Sequence, residues 1–265
     1  MGDIAGVFTQ WIFDVIHSLD KAFGDWGLAI IVFTIIFRII VSPLMHKQSK
    51  SSFQMTKLQP KMKAAQEKYK EDPVRMQEET RKIYAEAKVN PLAGCLPLLL
   101  QMPIFFALFY VLRNLKDYIM KIEGAVYVDP SFYNLVPSLT KLPSEAYVEG
   151  IGIFIPYLIL MVVFAGATFL PMMLQQQGKD SPQRKQMLIM GGIMSIVMVV
   201  VGWNMPGGVL LFWGASGLIG LAQTQISMSI FRKRDAAEEA AVVDVKPVEV
   251  EVVRKAKKPR PTKKG

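Results

Sequence analysis

Long apolar stretches alternate with polar, lysine-rich segments along most of the chain. A transmembrane helix needs about 20 predominantly apolar residues, and five stretches meet or approach that length: residues 27–46, 94–115, 151–174, 187–203 and 207–231. Pro206 and the two glycines after it favour a tight turn and a hairpin between the last two stretches, because proline and glycine interrupt helices. The pattern therefore predicts an all-α integral membrane protein with five transmembrane helices.

The segments between these stretches have patterns of their own. Residues 1–26 place apolar side chains at three- and four-residue steps, which predicts an amphipathic helix in the membrane interface. Residues 47–90 carry two narrow apolar stripes separated by Asp72 and Pro73, a pair typical of a helix start, and so predict a helical hairpin. The remaining segments are predicted as two loops and a disordered basic tail, at residues 116–150, 175–186 and 232–265.

Lysine and arginine are distributed unevenly among the connecting segments. Of the 31 Lys and Arg residues, eleven lie between the first and second apolar stretches, three between the third and fourth, and eleven after the fifth. Short loops rich in Lys and Arg remain in the cytoplasm, and five crossings put all three segments on one side. We therefore expect the N-terminus outside and the hairpin and C-terminus in the cytoplasm, with residues 116–150 as an extracytoplasmic loop.

Composition excludes several classes of protein. Hydrophobic residues make up 51% of the chain and charged residues 20%, below the roughly 25% of ordinary soluble domains. The single cysteine, Cys95, cannot form a disulfide framework, and His17 and His46 are too far apart for a short-spaced zinc pair. Neither histidine and no carboxylate lies in the middle of an apolar stretch. We therefore expect no metal, no cofactor and no catalytic residues, and thus no enzyme.

Arg38 is the only charged residue deep within an apolar stretch. Placing arginine at the centre of a membrane helix costs roughly 2.5–3.5 kcal/mol, and the five stretches contain no Asp or Glu to pair with it. Thr34, Arg38 and Ser42 are spaced i, i+4 and i+8, so they share one helix face. A polar stripe within a bilayer has to line a cavity or a partner helix.

Further polar residues could form the other walls of such a cavity. The candidates are Gln101 in the second stretch, Thr168 in the third, and Trp213 and Ser216 in the fifth. Ser216 and Thr168 could equally serve close helix packing, and Trp213 could be an ordinary lipid or core contact. Periodicity alone does not fix which way these side chains face.

A motif in residues 58–112 is more specific. It consists of Asn90, Pro91, Gly94, Cys95, Pro97, Gln101 and Pro103. With this motif, with Arg38 in the first stretch and with Trp213 in the last, the sequence resembles the YidC/Oxa family of membrane protein insertases over about residues 26–231.

The resemblance implies a five-helix core around a hydrophilic groove that is open to the cytoplasm and to lipid but closed toward the outside. The hairpin would be the family's mobile coiled-coil region, and the basic tail would contact the ribosome. The resemblance also implies a short, Gram-positive-like bacterial form in the plasma (inner) membrane, without the large extracytoplasmic domain of Gram-negative members.

The resulting hypothesis is an insertase and chaperone in which Arg38 transiently attracts an acidic flank of the client. Its expected partners are nascent membrane proteins, the ribosome, the Sec translocon and anionic lipids; clustered Lys and Arg suit ribosomal RNA and anionic lipid equally well. The alternative is a transporter of a small solute or anion with Arg38 as the binding charge. The stretches show no acidic relay and no evident two-fold repeat that would favour it.

Overall fold

The computed structural model describes residues 2–90, 96–123, 127–175 and 182–243, and within these ranges the chain is almost entirely helical. An isolated antiparallel bridge joins Phe132 to Val136. The helices are α1 (Gly2–Phe23), α2 (Trp26–Lys68), α3 (Pro73–Glu86), α4 (Leu96–Arg113), α5 (Leu115–Glu123), α6 (Pro143–Glu149), α7 (Ile151–Gln175), α8 (Pro182–Gly202) and α9 (Gly207–Val243).

Helix α2 runs from the first apolar stretch into the predicted hairpin as one continuous element of 43 residues. The boundary predicted between residues 46 and 47 is therefore not a helix end. Polarity changes at that point, but residues 47–68 are rich in strong helix formers such as Lys, Gln and Met. The hairpin turn follows Lys68, and Asp72 caps α3 as predicted, its carboxylate accepting a bond from the Arg75 amide at 3.0 Å.

Helices α2 and α9 pack against each other in parallel over most of their length. The contacts advance together along both helices, from the rings of Phe33 and Phe212 to the ion pair between Lys57 and Asp235. Helix α7 packs against both α8 and α9, and α1 packs against α2 and α4. The predicted hairpin of the last two stretches is thus only a tight turn, because α8 packs mainly against α7, whereas α9 packs against α2 and α7.

The chain differs from prediction after the fifth stretch and within the loop before the third. Residues 232–243 continue α9 as helix rather than forming part of a disordered tail, because an Ala/Glu-rich run has high helix propensity and α2 packs beside it. The predicted loop at residues 116–150 contains the short helices α5 and α6. Residues 91–95, 176–181 and 244–265, and with them part of the motif, most of the second loop and most of the tail, lie outside the described residues.

Residues 127–142 cover one end of the bundle, which we call the loop end. Their carbonyls accept hydrogen bonds from the first amides of α2 and α9: Gly27 bonds to Ser131, Gly207 to Lys141 and Gly208 to Leu139, at 2.8–3.2 Å. Helix starts leave such amides without partners inside the helix. The loop therefore completes the hydrogen bonding of two helix starts while covering them.

The outside of the bundle is apolar. Among the residues that the structure describes, three helices are long and apolar enough to cross a membrane, Trp26–Lys68, Ile151–Leu170 and Gly207–Glu238, and two shorter apolar helices span Leu99–Arg113 and Leu188–Gly202. Large aliphatic side chains on these helices are exposed, among them Ile39, Ile40, Val162, Ile196 and Val200. Contiguous exposure of this kind suits contact with lipid.

Candidate functional site

Three helices meet at the side chain of Arg38. Its Nε donates a hydrogen bond to the Ser216 hydroxyl at 2.9 Å, and that hydroxyl in turn donates to the Gln101 carbonyl oxygen at 3.5 Å. Ser216 is only 2% exposed. The structure therefore brings together three of the residues that the sequence singles out, one each from α2, α4 and α9, and bonds the inner nitrogen of the arginine to a neutral hydroxyl.

Helix α9 also contacts Arg38 at two positions that the sequence analysis missed. The side-chain amide of Gln223 donates to the Arg38 backbone carbonyl at 3.2 Å. The guanidinium lies against Gly220, where a Cβ atom would stand 2.8 Å from one of its terminal nitrogens. Ser216, Gly220 and Gln223 are spaced i, i+4 and i+7, which places them on one face of α9.

A polar cavity of about 220 Å³ begins at Arg38 and extends between α2, α7 and α9 away from the loop end. Its polar lining comprises Arg38, Gln48, Ser52, Gln223 and Thr224, and small residues, Ala167, Gly217 and Gly220, line it as well. Because Ser52 lies beyond the first apolar stretch, the cavity connects the middle of the bundle with the lysine-rich end. We call that end the cavity end.

Two buried amide atoms beside Arg38 lack a hydrogen-bond partner among the described residues. They are Nε2 of Gln101, a donor, and Oε1 of Gln223, an acceptor. A buried polar atom without a partner costs about 1–3 kcal/mol, and most such atoms in folded proteins are paired with protein or water. The cavity end is therefore equipped to bind water or the polar backbone of another chain.

The other predicted site residues lie elsewhere. Thr34 is fully buried, and its hydroxyl donates to the Ile30 carbonyl one turn earlier. Thr168 likewise bonds to its own helix at Phe164. Both bonds are of the kind by which Ser and Thr satisfy themselves within helices. Ser42 is half-buried, and within the described part of the chain neither it nor Thr34 or Thr168 borders the cavity.

Trp213 is a packing residue between three helices. Its ring stands edge-on to Phe105 of α4 at 5.0 Å and to Phe164 of α7 at 5.6 Å. Edge-to-face pairs of this type stabilise by about 0.5–1.5 kcal/mol beyond the area they bury. Trp213 lies one turn before Ser216 on α9, so this packing fixes the helix that holds Arg38.

The chemistry available at this site is recognition of charge and polarity. One guanidinium is surrounded by neutral hydroxyl and amide groups, and the described residues contain no group of three or more His, Cys, Asp or Glu that could hold a metal ion. Gln223 and Thr224 carried a signal that sequence reading could have used, since they interrupt an otherwise apolar stretch. Gly220 carried none, because glycine is common in tightly packed membrane helices.

The sequence as a whole is similar to known membrane proteins. The sequence profile of the family described as 60Kd inner membrane protein matches residues 18–234. The chain is 37% identical over 227 residues to a protein of Aquifex aeolicus named Membrane protein insertase YidC, covering 86% of this chain and 38% of that protein. It is 34% identical over 228 residues to a protein of the same name from Fusobacterium nucleatum, covering 86% of this chain and 98% of that one.

A solved structure is also similar. It is described as "Active YidC insertase crystal structure with the first transmembrane domain resolved", and it matches with a TM-score of 0.59 and 31% identity. The match covers 84% of this chain and 45% of that one. The chain thus spans less than half the length of the Aquifex protein and of the solved chain, and nearly all of the Fusobacterium protein.

Proposed function

This chain belongs to the 60Kd inner membrane protein family, as a multi-pass helical protein of the bacterial inner membrane, and we propose that it is a membrane protein insertase. It receives nascent membrane proteins at the polar cavity and releases their hydrophobic segments sideways into lipid. The observation that carries this proposal is the contact of Arg38 with Ser216 beside unsatisfied amides. A partly buried charge held by a neutral group can attract an opposite charge without an ion pair having to break.

The proposed topology has five transmembrane helices, the N-terminus outside and the C-terminus in the cytoplasm. Three long and two shorter apolar helices among the described residues support the number of crossings. The positions of Lys and Arg support the orientation. In this topology the loop end faces outward, and the cavity end opens toward the cytoplasm, where nascent chains arrive.

Insertion then proceeds without covalent chemistry. An acidic flank of the client enters the cavity and meets the guanidinium of Arg38, while Gln101 and Gln223 offer hydrogen bonds to its backbone. The cavity shortens the apolar distance that a polar flank must cross. The client's apolar segment leaves between helices into lipid, because burial of apolar surface stabilises it by roughly 25 cal/mol per Å².

The basic surface of the cavity end suggests the remaining partners. Lysines of α2 and α3 are exposed, as in the region around Lys61 and Lys82. Such a surface attracts anionic lipid headgroups and ribosomal RNA. We propose that this hairpin, with the basic tail, binds the ribosome and the membrane surface, and that the Sec translocon is a further partner.

A reconstituted insertion assay tests the function. Purified protein in liposomes of defined lipid receives a newly synthesised single-span protein with an acidic translocated flank, and protease protection of that flank is measured. We expect full protection with wild type, partial protection with Arg38→Lys, and about tenfold less than wild type with Arg38→Ala, a loss equivalent to about 1.4 kcal/mol. Arg113→Ala is the matched control, because Arg113 is exposed and distant from the cavity, stacked on Phe109.

The outcomes separate the candidate functions. Insertion that survives Arg38→Ala would retain the insertase and remove the proposed role of Arg38 for that client. Protection no greater than in empty liposomes would contradict the insertase. The transporter would then be tested by measuring solute flux through protein-containing liposomes without any client.

A further inference from the structure

Three residues of α9 contact Arg38 at three different parts of that residue. Ser216 accepts the hydrogen bond of the side-chain Nε, Gln223 donates to the backbone carbonyl, and Gly220 lies against the guanidinium between them. The two terminal nitrogens of Arg38 have no hydrogen-bond acceptor in the described part of the protein. Helix α9 therefore holds the base and the inner nitrogen of the arginine and leaves its outer donors available.

The absence of a side chain at position 220 is what allows this placement. A Cβ there would lie 2.8 Å from one terminal nitrogen of Arg38, and 3.1 Å from both Cζ and the other terminal nitrogen. Such distances are shorter than ordinary van der Waals contact of about 3.5–4.0 Å. The atoms that would be displaced are the end of a long, flexible side chain, so a larger residue at 220 shifts the guanidinium and leaves the helix backbone in place.

We propose that Gly220 is a positioning residue for Arg38, and that with Ser216 and Gln223 it selects clients with acidic translocated flanks. The inference rests on the proposed insertase function. A guanidinium fixed through Nε presents its remaining donors as a planar fork, which binds a carboxylate through two parallel hydrogen bonds. Displacing it by about 1 Å keeps the positive charge in the cavity but moves the fork, and misplacement on that scale is costly.

The test uses the liposome insertion assay with two clients that differ only in their flanks. One flank carries Asp and Glu, and the other carries Asn and Gln at the same positions. Gly220→Ala and Gly220→Val are compared with Gly166→Ala and Gly166→Val, because a Cβ at Gly166 of α7 would meet nothing within 4 Å. We expect Gly220→Ala to lower insertion of the acidic client about fivefold and Gly220→Val to lower it further. The Gly220 variants should insert the neutral client as wild type does, and the Gly166 variants should insert both clients as wild type does.

Two further variants distinguish positioning from a general packing defect. The ammonium group of Arg38→Lys has no planar fork, so adding Gly220→Ala to Arg38→Lys should cause no additional loss. The losses of acidic-client insertion caused by Ser216→Ala and Gly220→Ala should be less than additive in the double variant, because both substitutions release the same guanidinium. The free energy of unfolding of each variant is measured in mixed micelles, and we expect the same value for Gly220→Ala and Gly166→Ala.

The inference and the function fail in different ways. If wild type inserts the acidic client and Gly220→Ala behaves like Gly166→Ala, the positioning role of Gly220 is wrong and the insertase remains. The same conclusion follows if Gly220→Ala lowers insertion of both clients equally, or if it still reduces insertion in the Arg38→Lys background. If wild type inserts neither client, the proposed function fails, and the inference fails with it.

Discussion

At the loop end of the bundle, residues 127–142 close the starts of α2 and α9, whereas at the cavity end the same two helices border a polar cavity. The buried carboxylate of Asp25 at the loop end and the buried amides at the cavity end differ in how completely they are hydrogen-bonded. At the loop end, the buried carboxylate of Asp25 accepts from the amides of Leu28 and Tyr133 at 2.8 and 2.6 Å. At the cavity end, Gln101 and Gln223 each retain a buried amide atom without a partner among the described residues.

The difference arises from side-chain size along two continuous helices. Near the loop end, Ile30 of α2 and Leu210 and Phe212 of α9 are completely buried, and they leave little free volume between the helices. Two to three turns further on, the facing positions are Arg38 and Gly220, followed by polar residues. The same pair of helices therefore has a densely packed closed end and an end with unsatisfied polar atoms, so a cavity exists beside close packing.

Tyr127, in the loop that covers the closed end, is a hydrogen-bond donor. The Tyr127 hydroxyl donates to the Asp129 carboxylate at 3.0 Å, and burial raises the pKa of that phenol to about 12. The phenol therefore remains neutral and a donor throughout the physiological pH range. This behaviour agrees with a loop whose polar groups bond to one another and hold it closed.

Removing the Tyr157 side chain should give the largest effect on stability. Its ring is completely buried, and its hydroxyl donates to the Ser138 carbonyl at 2.6 Å and accepts from the Ser138 amide at 3.2 Å. We expect Tyr157→Ala to lower the free energy of unfolding by about 3–5 kcal/mol, because it creates a cavity. Unfolding in mixed micelles of a mild and a denaturing detergent measures this loss.

The matched variant Tyr157→Phe keeps the ring and removes only the hydroxyl. It should cost about 1–3 kcal/mol, since both backbone groups of Ser138 lose a buried partner. A loss below 1 kcal/mol for Tyr157→Ala would show that the loop end is not densely packed around this ring.

A side chain at Gly27 should give the next largest effect. A Cβ at this position would overlap the ring of Phe132, which packs over the start of α2. Overpacking of this kind typically costs about 1–3 kcal/mol, so Gly27→Ala should be less stable than wild type by that amount in the same micelle assay. The double variant Gly27→Ala/Phe132→Ala should recover part of the loss, and a Gly27→Ala protein as stable as wild type would mean that the loop does not pack closely there.

The helices of both ends were largely predictable from the sequence, because each apolar stretch is long and bounded by polar or helix-breaking residues. The predicted third stretch at 151–174 and α7, Ile151–Gln175, differ by one residue. The prediction failed where polarity changes without a helix end, as in α2 between residues 46 and 47. A hydropathy pattern identifies the membrane boundary, and helix ends depend on capping and packing instead.

The candidate site was predictable only in part. Arg38 was identifiable because an unpaired charge in an apolar stretch needs a polar partner, and Ser216 and Gln101 were among the few polar residues available. Thr34 shares the face of Arg38 in sequence, yet its hydroxyl bonds to its own helix. Gly220 and Gln223 depended on how α9 is rotated relative to α2, and one-dimensional periodicity does not contain that rotation.

The ion pair between Lys57 and Asp235 extends the pairing of α2 and α9 beyond the cavity, and its removal should have a small effect. Both side chains are partly exposed, and exposed ion pairs contribute about 0.2–1 kcal/mol. We expect Lys57→Ala to destabilise by about that amount at low salt, and by less at high salt because of screening. The charge-swapped variant Lys57→Asp/Asp235→Lys should recover most of the loss; if it is no more stable than either single variant, the two residues do not interact in solution.

Replacing Gln223 with leucine should change stability least and is the sharpest contrast with Tyr157→Phe. The substitution removes the bond from Gln223 to the Arg38 carbonyl, but it also removes the unpartnered Oε1. A loss of one hydrogen bond and the removal of one unsatisfied atom nearly cancel, so the free energy of unfolding should stay within about 0.5 kcal/mol of wild type. Insertion of an acidic client should nevertheless fall, because the cavity loses a polar group beside Arg38. If Gln223→Leu instead costs as much stability as Tyr157→Phe, then Gln223 is fully satisfied in the membrane, and the polar groups of the cavity end are hydrogen-bonded as completely as those of the loop end.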